Sequence, residues 1–138
     1  MADSGIRGLR HLALKVTDLA RSRKFYEDFF GMKVVWEPDP ENVYLSSGPD
    51  NLALHQIPAA DAGRPGPATD QRLDHLGFIM DSPESVDRLL KQAERSGATI
   101  VKPAKRHRDG SYSFYMADPD GNVVQVLYEP TISKLHWS

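Results

Sequence analysis

The 138-residue sequence contains no cysteine. That excludes disulfides, a thiolate metal site and a cysteine nucleophile. It lacks any apolar run near the roughly 20 residues that cross a bilayer, so no membrane partner is expected. The opening residues MADSGIRGLR show nothing of a signal peptide's apolar stretch, and a cytoplasmic location is the default expectation. An excess of one charge is missing too: 17 Lys and Arg stand against 19 Asp and Glu, a net charge of −2. Such a balance gives no support to a nucleic-acid partner. What is present is 40% hydrophobic and 26% charged residues, the make-up of a globular chain. The length suits one domain, or two small halves sharing a core.

Periodicity supplies the elements. In LRHLALKV, Leu12, Leu14 and Val16 alternate as in a strand. Thr17 or Asp18 can cap a following helix, whose apolar face is Leu19, Phe25, Tyr26, Phe29 and Phe30. Gly31 supplies its left-handed stop. MKVVWE, NVYLSS and NLALHQI then read as three strands, with PDPEN and GPD between them. The order is β-α-β-β-β. The Pro/Gly/Ala-rich stretch 58–71 reads as an exposed linker.

After the linker the same order returns. LDHLGFIM reads as a strand, and Asp81-Ser82-Pro83-Glu84 as a helix start. Val86, Leu89, Leu90 and Ala93 form the buried helix face, and Gly97 ends it. ATIVK, SYSFYMA and NVVQVLYE read as strands, the last two joined by the turn Asp118-Pro119-Asp120-Gly121. The pattern LxHL recurs at an offset of 64, and the two stop glycines lie 66 apart. This predicts an internal duplication within a single domain of residues 1–138: a first module at about 7–57 and a second at about 72–130. Neither half buries both faces of its sheet alone, so the halves must pair, within one chain or between two.

His11 and His75 hold equivalent places in the two halves. A pseudo-twofold packing brings two such imidazoles toward one point, and imidazole is the commonest protein metal ligand. The alternative is a pair of half-buried histidines satisfied by hydrogen bonds. His55 follows the run LAL and offers a third donor, or else a strand-end side chain in solvent. By symmetry a fourth donor is sought on the last strand, where Gln125 is the polar residue. Its alternative is an exposed strand position.

The patterns HLALKVTDLARSRKFYEDFFGM and SFYMADPDGNVVQVLYEP resemble the vicinal oxygen chelate superfamily, over roughly residues 7–130. That group includes glyoxalase I, fosfomycin-resistance thiol transferases, extradiol dioxygenases and bleomycin-resistance proteins. The resemblance implies an α+β fold of two βαβββ modules, forming a curved, mostly antiparallel sheet around a cavity. It also implies a homodimer and a divalent metal ion such as Ni, Zn, Mn, Co or Fe. The positions matching the ligands are His11, His55, His75 and Gln125.

Two departures matter. The family usually has glutamate where Gln125 stands, and in glyoxalase I the position matched to His55 is also glutamate. Glu129 is no substitute, because it lies four residues and roughly 13 Å along the strand. Three imidazoles and an amide leave a dication's charge uncompensated. His55, uncoordinated, is then the available base for moving a proton between adjacent carbons.

The expected function is a glyoxalase-like enzyme of lyase or isomerase type acting on a small-molecule substrate. Its metal chelates vicinal oxygens and stabilises an oxyanion or enolate. One alternative is a metal-free small-molecule or drug-binding resistance protein. Others are a fosfomycin-type thiol transferase or a dioxygenase-like enzyme. Lys105, Ser113 and Tyr115 are spaced as in the fosfomycin-resistance proteins, which makes Lys105 and Tyr115 candidate substrate-binding residues. Ala13 and Asp109 depart from that pattern, standing in place of a threonine and a serine. Lys105–Arg108 otherwise read as a solvated basic loop. Trp36, Tyr44, Phe78, Tyr112 and Phe114 are candidates to line a pocket, and Trp137, beside His136 in the tail, to touch a partner subunit.

Overall fold

The computed structural model describes residues 9–58 and 73–133. The expected linker beyond Pro58, the opening residues and the tail with His136 and Trp137 lie outside the described residues. The element order is β1 (His11–Val16), α1 (Leu19–Phe30), β2 (Lys33–Asp39), β3 (Asn42–Ser46) and β4 (Asn51–Gln56), then β5 (Leu76–Ile79), α2 (Pro83–Arg95), β6 (Ile100–Arg106), β7 (Tyr112–Ala117) and β8 (Val123–Tyr128). Each half is one βαβββ module with its own four-stranded sheet, ordered β1-β4-β3-β2 and β5-β8-β7-β6. The first strand of each module runs parallel to the last, and the other pairs are antiparallel. β1 and β5 are therefore edge strands. No described helix is long and apolar enough to cross a membrane.

Local chemistry explains the boundaries. Asp18 caps α1 by accepting the Arg21 N–H, and Gly31 closes the helix with φ +62°, a conformation costly for any residue with a Cβ. Ser82 caps α2 through the Ser85 N–H, with proline in the first turn. The helix ends at Ser96, and Gly97 follows with φ +74°. β2 and β6 run longer than the alternation predicts, taking in Pro38 and Pro103. Both are sheet-edge strands, where a missing N–H is tolerated. Lys105 and Arg106 thus belong to a strand, not to a basic loop. β5 is shorter than expected and begins at Leu76. Its partner β8 begins at Val123, so residues before His75 have no ladder to join.

One apolar core joins the modules. Its largest fully buried side chains include Tyr26, Phe114, Leu45, Leu54 and Met116. Phe30 of α1 stacks on Phe78 of β5, with centroids 3.9 Å apart and planes within 10°. Phe114 is therefore a core residue and not pocket lining, whereas Phe78 packs on the core and also lines the cleft between the modules. The Asp118–Gly121 turn fastens the second module to the first. Asp118, buried, accepts the Tyr26 hydroxyl at 2.8 Å, and also the N–H groups of Asp120 and Asn122. Asp120 accepts the Thr17 N–H and hydroxyl and the Ser22 hydroxyl. Burial, reinforced by Asp118, pushes the Tyr26 pKa upward.

Candidate functional site

The duplication extends to the irregularities of the sheets. The β2–β3 ladder slips one residue between Val34 and Trp36 and again between Trp36 and Asp39. The β6–β7 ladder slips in the same way between Ile100 and Lys102, and between Lys102 and Lys105. Each slip reverses the parity of the strand. Lys102 comes to lie opposite Tyr115, and Lys105 opposite Ser113. Strict alternation assigns these two lysines to opposite faces; the slip puts both on the face that carries Ser113, Tyr115 and Gln125. Lys102 Nζ lies 5.2 Å from the Tyr115 ring centre, a cation–π contact the sequence reading missed. In the first module Trp36 lies opposite Tyr44, their rings 4.9 Å apart.

The histidines share one feature. His11 Nδ1 donates to Asn51 Oδ1 at 2.9 Å, His55 Nδ1 to Asn42 Oδ1 at 2.6 Å, and His75 Nδ1 to Asp74 Oδ1 at 2.6 Å. Each partner atom is an acceptor, so each Nδ1 presents a proton to it and Nε2 is the ring nitrogen left for a ligand. No described residue bonds those Nε2 atoms. An oxygen on Nδ1 that fixes tautomer and ring plane is what a ligating histidine requires. These partners were not picked out in the sequence, because nothing in it marks an asparagine as opposite a histidine.

The four expected donors are not placed alike. His11 pairs with Asn51 across the β1–β4 ladder, while His55 pairs with Lys15. His55 thus stands four residues along from His11, about 13 Å at strand rise. Gln125 pairs with Gly77, which corresponds to Ala13 by the 64-residue offset, and Ala13 pairs with Ala53. The counterpart of Gln125 is therefore Ala53, a side chain without a donor atom. His75 immediately precedes β5, one strand away from Gln125. Its ring meets the Tyr115 ring edge-on at 5.4 Å. Gln125 Nε2 donates to Ser113 Oγ at 3.1 Å. His11 and His75 both line an open cleft of about 1100 Å³ between the modules, with Leu12, Phe30, Phe78 and Met80. Within one chain, no three His, Asp or Glu side chains among the described residues gather at a point.

The donor set suits a divalent ion in kind. His11, His75 and Gln125 offer two Nε2 lone pairs and one amide oxygen, all neutral, with no carboxylate. Lys102 and Lys105 add positive charge on the same face. In the turn between β6 and β7, Asp109 is held below the usual carboxylate range by hydrogen bonds from Ser111.

Comparison with known proteins agrees with this architecture. Residues 8–126 match the family model described as Glyoxalase/Bleomycin resistance protein/Dioxygenase superfamily. An uncharacterized protein of Pseudomonas aeruginosa, PA2024, is 30% identical over 87% of this chain and 87% of its own length. Metallothiol transferase FosB of Bacillus licheniformis is 28% identical over 99% of this chain and 85% of its own. The crystal structure of a lactoylglutathione lyase from Agrobacterium tumefaciens superposes with a TM-score of 0.72 at 25% identity, covering 91% of this chain and 96% of that one. Superfamily members are mostly enzymes acting on small molecules, generally with divalent metals, and commonly form dimers. The chain belongs to the Glyoxalase/Bleomycin resistance protein/Dioxygenase superfamily.

Proposed function

We propose that this chain is a metal-dependent enzyme of glyoxalase type, a lyase or isomerase, whose substrate carries two adjacent oxygens and an anionic group. The observation that carries the reading is that His11 and His75 line one cleft between the modules, each with its Nδ1 hydrogen-bonded to a side-chain oxygen. His11, His75 and Gln125 would hold a divalent ion (Ni, Zn, Mn, Co or Fe). When bound, that ion supplies Lewis-acid stabilisation of charge developing on the adjacent oxygens.

The protein's own groups do the rest. Lys102, Lys105 and Tyr115 take the anionic end of the substrate. Within one chain His55 lies about 13 Å along the sheet from His11, so it serves as general base, its ring held by Asn42, only for donors that a second copy of the chain brings to it. The modules expose β1 and β5 as unpaired edges, flanking the cleft that His11 and His75 line. A second copy of the chain, docked on those edges, completes the site in a homodimer.

Apo protein titrated calorimetrically with each of the five metals tests this reading. One ion per chain is expected, with His75→Ala lowering affinity at least about tenfold. A wild type that takes up none of them, unchanged by His75→Ala, overturns it. The lack of a carboxylate among the donors would then favour a metal-free small-molecule-binding protein.

A further inference from the structure

In the first module, Val43, Leu45, Leu52 and Leu54 turn into the core, so the residues between them on β3 and β4 occupy the opposite face of the sheet. Across that face the ladders set Trp36 beside Tyr44, and, one row on, Asn42 beside His55 and His55 beside Lys15. The rings form a continuous run. Trp36 lies 4.9 Å from Tyr44, and Tyr44 meets His55 edge-on at 5.9 Å. Trp36, at one end of the run, is more than half exposed, and Lys15, at the other, is exposed too.

The charge on this face has one sign. The carboxylates nearest the rings are engaged: Glu37 pairs with Arg23 at 3.3 Å, and Asp39 accepts the Asn42 amide at 2.8 Å. Asn42 in turn holds the His55 ring. Lys15 makes no ion pair among the described residues. An open indole and an ammonium on a flexible four-carbon arm are the parts that recognise a planar ring bearing a negative group. A neutral ring uses only the first part and an aliphatic acid only the second; a cationic ring is repelled.

We propose that the Trp36–Tyr44–His55 face, with Lys15 at its end, is a binding site for an aromatic acid such as an aryl carboxylate. The span suits it. Strands lie about 4.8 Å apart, so β1 runs roughly 10 Å from β3, a gap that two fused rings and the lysine arm cover together. The site uses none of the donors His11, His75 and Gln125, so it stands apart from the metal reading.

The test is a nuclear magnetic resonance titration of metal-free protein at low salt with 2-naphthoate. It follows the backbone amides of β3 and β4 and the indole N–H of Trp36, identified as the signal missing from Trp36→Leu. Two controls take the ligand apart: 2-naphthylmethanol keeps the rings without the charge, and cyclohexanecarboxylate keeps the charge without the rings. Naphthoate is expected to shift the Trp36 signal saturably and to bind tightest of the three. Trp36→Leu should weaken it about three- to tenfold. Lys15→Met should weaken naphthoate about two- to fivefold and leave naphthylmethanol unchanged, Lys15→Arg should restore the loss, and raised salt should erase the difference. Both replaced side chains are exposed, so the fold stays intact. A Trp36 signal that naphthoate does not move, cyclohexanecarboxylate binding as tightly as naphthoate, or Lys15→Met weakening both naphthyl ligands equally or neither overturns the proposal. None of these results bears on metal uptake, which the metal titration reads separately.

Discussion

Trp36 and Lys102 occupy the same place in the two halves of the chain, and each lies against a tyrosine of the next strand. Each follows the first slip of its ladder, at matching points in β2 and β6. Trp36 meets Tyr44 at 4.9 Å, and Lys102 meets Tyr115 at 5.2 Å. One module therefore offers a flat apolar wall and the other a cationic one. Trp36 stays 58% exposed despite its contact with Tyr44. Duplication set the frame, and divergence at one position gave the two walls different chemistry.

That divergence predicts a split in substrate binding. Lys102→Ala should raise KM for an anionic substrate about tenfold with kcat little changed, and the gap should narrow as salt is raised. Competition by inorganic phosphate, measured at low and high ionic strength, reads the same site without knowledge of the substrate. Trp36→Ala should leave phosphate competition untouched. A Lys102→Ala protein that responds to phosphate as wild type does would remove the lysine from the anion site.

The contact between modules predicts an alkaline limit to stability. Burial first, then Asp118, raises the Tyr26 pKa above its ordinary 10.0. The folded chain therefore keeps a proton that the unfolded chain releases. This contribution is complete below about pH 10 and is lost as pH rises toward the folded-state value, at up to ~1.4 kcal/mol per pH unit. Tyr26→Phe should flatten that part of the decline. Near neutral pH it should cost about 1–3 kcal/mol, because buried Asp118 loses a donor. Urea midpoints at pH 8 and pH 11 for the two proteins measure both effects.

Much of this architecture was legible in the residues, and the parts that were not share a cause. Gly31 and Gly97, the capping Asp18 and Ser82, and the 64-residue repeat of LxHL mark local events, and local events leave local signatures. Ladder register does not. It depends on which residue of a distant strand lies opposite, and a single slip exchanges the two faces. Lys102 was invisible as a site residue because alternation sends Lys102 and Lys105 to opposite sides. Phe114 looked like a pocket residue because a strand pattern does not say which face meets the helices. His55 looked like the partner of Gln125 because it is the polar residue near the end of its strand. The ladder gives that place to Ala53.

The separation of His55 from the other donors predicts a clean division of labour. His55→Gln should leave divalent-metal affinity within about twofold of wild type while lowering kcat by roughly 10²–10⁴. His75→Ala should do the reverse to the metal, removing it first and activity with it. Parallel calorimetry and steady-state assays on the two variants make the comparison. Loss of metal in His55→Gln would return His55 to the ligand set and require the strand to reach further than its register shows.

Asp74 tests how the site holds its histidine. It accepts the Nδ1 proton of His75 at 2.6 Å, yet its carboxylate is 94% exposed. Water weakens such a contact as an ion pair, so its value lies in fixing the ring and its tautomer. Asp74→Ala should therefore weaken Zn²⁺ binding by only about three- to tenfold, at the low end of what losing a ligand's hydrogen-bond partner costs. Asp74→Asn retains an acceptor oxygen and should recover most of that loss, whereas an electrostatic role would leave it as weak as the alanine variant. Zn²⁺ titrations of the three proteins at one pH separate the two, and the charge-neutral asparagine decides between them.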